Sequence, residues 1–255
     1  MRFFASSFVI TLVMLSFSPT LMAAPRYARI VVGTREVPLS PRAVVENGVI
    51  YAPADILRTL GADYAAGDHK VTIASDDKAI ELSLSEKNKS RMIRLDEAVK
   101  ALNAQLTWDD ATSTARVLAK LTAVEFSDSK LTIRTSLPVA VTYDRLWAPA
   151  NGAGWRISVD LAGTVLATDS KSYPVQDSVV KQIRLGQFNE DTARVVLDIS
   201  NKTGYQVLTR EPSQEIIVAI GTSEAKKGQK TGSITPVIPV NITNVKVDPD
   251  GDSRI

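Results

Sequence analysis

Apolar and polar residues alternate along Trp155-Arg156-Ile157-Ser158-Val159-Asp160-Leu161, and the alternation returns in the same register along Ala193-Arg194-Val195-Val196-Leu197-Asp198-Ile199. A period of two marks a strand with one buried face. The odd positions are apolar in both copies, and Arg and Asp occupy even positions, so Arg156 and Asp160 share one face, as do Arg194 and Asp198. Four residues of strand put roughly 13 Å between the Arg and Asp Cα atoms, too far for an ion pair within one strand. The repeat predicts a small pseudo-symmetric β domain presenting polar surface on an apolar scaffold. That is the surface of a binding module.

The same alternation extends through residues 120–221. Strands are expected at Leu121–Phe126, Lys130–Thr135, Val139–Tyr143, Trp155–Leu161, Val179–Leu185, Arg194–Ile199, Tyr205–Thr209 and Glu215–Ile220, with Gly, Pro, Asn or Asp in most of the gaps. About eight short strands at this spacing predict an all-β sandwich.

The pattern before residue 119 is different. Ala28–Gly33 and Val49–Tyr51 read as strands, Ala54–Leu60 as a short helix and Val71–Ile73 as a returning strand. Leu95, Ala98, Val99 and Leu102 then follow the i, i+3, i+4, i+7 spacing of a second helix. Leu60-Gly61-Ala62 and Leu102-Asn103-Ala104 are equivalent helix ends, with Gly61 and Asn103 at the position that favours left-handed backbone. The expected fold class is therefore multi-domain: a duplicated small α+β domain followed by an all-β sandwich of about eight short strands.

Both parts carry family resemblances. Val49 to Pro53, Leu60-Gly61-Ala62 and Trp108-Asp109 resemble the copper amine oxidase N-terminal, or stalk, domain over residues 25–118. That resemblance implies a stalk or adhesion-like module which binds no copper. Residues 119–222 resemble the AMIN domain. The likeness rests on Arg156 to Leu161, on Ile183-Arg184-Leu185-Gly186-Gln187-Phe188, and on Thr192 to Ile199. It implies a non-catalytic module at the front of cell-wall amidases and some secretins, with peptidoglycan as partner.

Outside these domains, Met1 to Ala24 has the parts of a secretory signal: Arg2, an apolar run from Phe3 to Phe17, Pro19, and small residues at Ala23 and Ala24. The expectation is export to the periplasm or cell envelope, with no membrane span after cleavage. Residues 223–239 read as a Lys-, Gly-, Ser-, Thr- and Pro-rich linker. Residues 240–255 mimic the hairpin at Val124 to Ile133 and are expected to begin a second AMIN domain in a longer gene product.

Composition narrows the chemistry. The chain of 255 residues has no Cys and a formal net charge of +2 with charges of both signs interspersed, which does not suit nucleic-acid binding. His69 is its one histidine, so zinc ligation of the amidase type has no ligand set in this chain, and neither a metal nor another cofactor is expected. Ser127-Asp128-Ser129-Lys130 matches Ser-x-x-Lys but falls in a turn where that chemistry needs a helix start. Asp248, Asp250 and Asp252 are explained by a Pro-Asp-Gly turn. The candidate binding residues are Arg156, Arg184, Gln187, Phe188 and Arg194, because Arg forks suit the stem-peptide carboxylates of peptidoglycan and an aromatic suits its sugars. Tyr143, Trp147 and Trp155 are further aromatic candidates, Trp155 in the inward register. The alternative for the arginines is a framing role, with Arg194 a cross-strand partner of an Asp.

The functional expectation is an exported, non-catalytic envelope module that binds peptidoglycan and localises an attached N-acetylmuramoyl-L-alanine amidase. The alternative is the periplasmic N-terminal region of a type IV pilus or secretion secretin, where envelope or secretion-complex proteins are the partners.

Overall fold

The computed structural model describes residues 25–74, 79–148, 154–167, 171–209 and 212–221. The signal, linker and second-domain expectations at 1–24, 223–239 and 240–255, and the Asp248 turn, lie outside them. The first half runs β1 (Arg26–Tyr27), β2 (Arg29–Val32), β3 (Arg35–Glu36), β4 (Val44–Glu46), β5 (Val49–Ala52), α1 (Ile56–Thr59), β6 (Tyr64–Ala66), β7 (Lys70–Ile73), β8 (Ile80–Ser83), β9 (Ser85–Lys87), β10 (Ser90–Arg94), α2 (Leu95–Ala101) and β11 (Gln105–Asp109). The second runs β12 (Thr114–Ser127), β13 (Lys130–Val139), β14 (Val141–Ala148), β15 (Gly154–Ala162), β16 (Thr164–Leu166), β17 (Lys171–Pro174), β18 (Val180–Asn189), β19 (Thr192–Ile199), β20 (Tyr205–Val207) and β21 (Ser213–Ile220).

Both helices form where the periodicity puts them, and both end alike. Gly61 and Asn103 have φ of 79° and 50°. The Ala62 and Ala104 amides donate to the Leu57 and Val99 carbonyls, and the Gly61 and Asn103 amides donate to Arg58 and Lys100. This pair of bonds is the Schellman closure, which satisfies carbonyls that the helix leaves open.

The expected duplicated α+β domain is not supported, because the described residues are mostly strand. The helices are 4 and 7 residues long and the protein is mostly β. Strands of the first half are divided among three sheets, β1-β4-β5-β10-β9, β6-β7-β8, and a sheet in which β2, β3 and β11 join strands of the second half. The helices still bury Ile56, Leu57, Leu95, Ala98 and Val99 in the core, but most of the packing faces are supplied by strands.

The second half is two facing sheets, β20-β21-β13-β12 and β14-β15-β19-β18-β17. Their inward residues, among them Ile133, Val218, Ile157, Val159, Val195 and Leu197, are fully buried in one hydrophobic cluster that continues into Ile56, Leu57 and Leu95 of the first half. Ten strands stand here among the described residues, not about eight short ones, and several have 8 to 10 residues. β16 and β17 escaped the sequence reading because three or four residues carry no clear period.

The boundary expected at 118/119 falls inside β12, a single strand of 14 residues. Val117, Leu118 and Ala119 are all buried, with no Gly or Pro to break the strand. On one edge β12 pairs antiparallel with β11 and then with β13. Its remaining partners run parallel, β2 along Thr114–Val117 and β16 along Ala119–Leu121. Where β2 ends and β16 begins, the turns at Gly33 and Gly163 touch. The Gly33 amide donates to Val117 and the Ala119 amide donates to Gly163.

Candidate functional site

The two copies of the repeated motif are neighbours in one sheet. β15 and β19 pair antiparallel about Ser158 and Val196, which sets Arg156 opposite Asp198 and Asp160 opposite Arg194. A pair that cannot close within a strand closes twice between strands. Arg194 grips Asp160 through Nε at 2.5 Å and a terminal nitrogen at 2.8 Å, the bidentate fork that suits a carboxylate. That hydrogen bond to Asp160, opposed by burial, holds the Arg194 guanidinium above its ordinary value.

The other pair recruits β18. Asp198 accepts from Arg156 Nε at 2.9 Å, from a terminal nitrogen of Arg184 at 2.8 Å and from Gln182 Nε2 at 2.8 Å. Three donors on one carboxylate fix the side chains of three strands. Arg184 sits opposite Val196 on β18, and its buried Nε has no hydrogen-bond partner among the described residues.

Beside this ladder lies an open cavity of about 390 Å³, lined among others by Lys171, Arg184, Gly186, Phe188, Arg194 and Val196. Gly186 stands opposite Arg194 and has no side chain to fill the space. Phe188 is exposed, and its ring lies 3.5 Å from the Arg194 guanidinium carbon, so the cation is held between carboxylate and ring. The arrangement offers cations over an apolar floor, which can hold a carboxylate next to an apolar group.

Four of the five sequence candidates, Arg184, Gln187, Phe188 and Arg194, line this cavity, and Arg156 adjoins it through Asp198. Gln187 has its amide engaged: its oxygen accepts from the Leu166 amide at 2.7 Å, and its nitrogen donates to Thr164 and Asn189 carbonyls. It ties β18 to β16. Lys171 and Gln182 were missed. Lys171 lies on β17, too short to be read, and Gln182 becomes relevant only through the shared Asp198.

Elsewhere, His69 is exposed in the turn before β7, and Asp128 and Ser129 form the β12–β13 turn with φ of 49° and 58°. Among the described residues no group of His, Cys, Asp and Glu could hold a metal ion.

Residues 123–219 match the AMIN domain. AMIN domains are non-catalytic modules that bind peptidoglycan in periplasmic proteins, and they occur in cell-wall amidases and secretins. The matched segment begins within β12 and ends within β21, so it takes in both facing sheets and the whole Arg–Asp ladder. The chain matches no protein with a curated description. Among the described residues no helix is long and apolar enough to cross a membrane.

Proposed function

We propose that this chain is an exported cell-envelope module that holds peptidoglycan through the outer face of β15, β19 and β18 and localises an attached cell-wall amidase. The observation that carries the reading is the cavity in which Lys171 and Arg184 stand beside a carboxylate-locked ladder over apolar ground. A stem-peptide carboxylate would meet two cations there, and the methyl groups of its alanines would meet Val196 and Phe188. Asp160 and Asp198 neutralise part of the ladder and keep the guanidinium planes in place, so the ligand does not have to order them. Residues 25–118, with their resemblance to the copper amine oxidase stalk, act in this reading as a spacer joined firmly to the binding domain. The continuous β12 supports that role.

The geometry selects the test. Replacing Arg194 would leave Asp160 without its fork and would confound folding with binding. Arg184→Ala is cleaner, because Asp198 keeps Arg156 and Gln182. The full chain should co-sediment with insoluble peptidoglycan, and Lys171→Ala with Arg184→Ala should weaken it about tenfold to a hundredfold, the worth of one or two charge-assisted hydrogen bonds. Binding should also fall as salt shortens the Debye length below about 8 Å. Unchanged sedimentation of the double variant would move the site away from the cavity. If the parent chain stays in the supernatant at low salt, the role in secretion assembly becomes the better reading.

A further inference from the structure

The described residues have four large exposed hydrophobic side chains, and three of them lie on one strand: Tyr143 (48% exposed), Leu146 (44%) and Trp147 (52%) on β14. β14 is an edge strand with β15 as its partner. Tyr143 and Trp147 share the inward register with Val141, which is buried, yet about half of each remains in solvent. The facing sheet ends there in β20, only three residues long, whose Tyr205 meets Tyr143 edge-on at 5.9 Å between centroids. Trp147 stands opposite Trp155, with centroids 5.2 Å apart and planes tilted by 57°. Arg145 and Lys202 place cations 5.8 and 5.7 Å from the Trp155 ring centroid, and the Arg145 guanidinium donates to the Thr203 carbonyl at 3.2 Å. The result is an aromatic surface on which Arg145 stands between Tyr143 and Trp147 in the same register, with Lys202 beside Trp155 and Leu146 on the opposite face.

We propose that this edge is a second ligand site, a stacking platform for the sugar rings of a glycan strand; it rests on the peptidoglycan reading and adds the polysaccharide half of that polymer. A pyranose has one face of C–H groups and a rim of hydroxyls, and an exposed indole with donors beside it matches both. Aromatics that keep half their surface in water suit a ligand that is itself half wet, whereas a protein interface core would be drier. The exposed Lys202 cation complements a sugar that bears an acidic substituent. Adjacent charges at Asp144 and Arg145 in the middle of β14 disfavour the addition of another strand at this edge. The platform is in the inward register of the edge strand β14, whereas the Arg184 cavity is on the outer face of the sheet three strands away. The two sites are therefore separate and would engage different parts of the polymer.

The test separates those parts. Glycan strands freed of their peptides by amidase digestion are titrated against the full chain, with tryptophan fluorescence as the readout, beside sedimentation with intact peptidoglycan. The parent should bind the stripped glycan. Trp147→Ala should weaken that binding roughly three- to tenfold, the scale of one aromatic contact, and Trp147→Phe should restore most of it. Amidase digestion leaves a lactyl carboxylate on the stripped sugar that the cavity could also take. Uncharged N-acetylglucosamine oligomers are therefore titrated in parallel, and Lys171→Ala with Arg184→Ala should bind those as the parent does. Equal binding by Trp147→Ala and the parent would overturn the platform. So would a parent that sediments with intact peptidoglycan but ignores stripped glycan, an outcome that leaves the peptide cavity standing. A parent that binds neither overturns both.

Discussion

Gly163→Ala should loosen the joint between the two halves of this protein. A Cβ built on Gly163 would lie 2.3 Å from the Gly33 Cα and 3.1 Å from its carbonyl carbon. Carbon atoms rest about 3.5–4.0 Å apart, so the intrusion exceeds 1 Å and meets backbone, which has no rotamer to give. Gly163 also has φ of 70°, a conformation that costs an L-residue roughly 1–2 kcal/mol. Overpacking of this kind adds about 1–3 kcal/mol, for a total near 2–5 kcal/mol. For a protein of this size that lowers Tm by roughly 5–20 °C. Two other glycines divide the effect. Gly33 has φ of 59°, but its added Cβ would reach the Gly163 Cα only at 3.6 Å, an ordinary contact. Gly48 has φ of 77° and nothing within 4 Å. Thermal unfolding followed by circular dichroism should rank Gly163→Ala well below Gly33→Ala, with Gly33→Ala and Gly48→Ala close together at the conformational cost alone. Equal losses in all three would refute the claim that this contact locks the halves.

Two further outcomes follow from the charges. Asp198→Ala removes the acceptor shared by Arg156, Arg184 and Gln182; since the carboxylate side chain is only 20% exposed, the cost should fall between surface and buried pairs, about 1–3 kcal/mol in urea unfolding, and a loss under a few tenths would mean the ladder is ornamental to stability. Asp96, Asp109 and Asp110 are held below the ordinary carboxylate range, by the Arg94 guanidinium, the Thr112 hydroxyl, and the Trp108 indole N–H with Arg26, respectively. A carboxyl with a lower value in the fold stabilises it above the unfolded value of about 3.9 and loses that contribution as pH falls through the folded one. Melting temperature should therefore be flat from neutrality to about pH 5 and fall below about pH 4, less steeply in Asp96→Asn; a fall beginning near pH 6 would point to other groups.

The sequence alone determined what is local. The alternation at Trp155–Leu161 and Ala193–Ile199 could only be half-buried strand, and both formed with the apolar positions buried or packed on the core. Gly61 and Asn103 marked helix ends because left-handed backbone after a helix is a property of the residues themselves. Four cavity residues were legible from composition within a motif. What remained undetermined depends on partners distant in sequence. Arg156 finds Asp198 because β15 and β19 pair in one register, and a shift of a single residue would have sent every Arg and Asp to the other face. Gln187, a candidate binding residue by sequence, spends its amide on β16, a strand with too few residues to show a period. The expected boundary at 118/119 lies within β12, a strand flanked by β2 and β11 at one end and by β13 and β16 at the other, and that continuity comes from partners distant in sequence. Periodicity is written in neighbouring residues, whereas pairing, coverage and contact are chosen by the whole chain when its apolar faces close on one another.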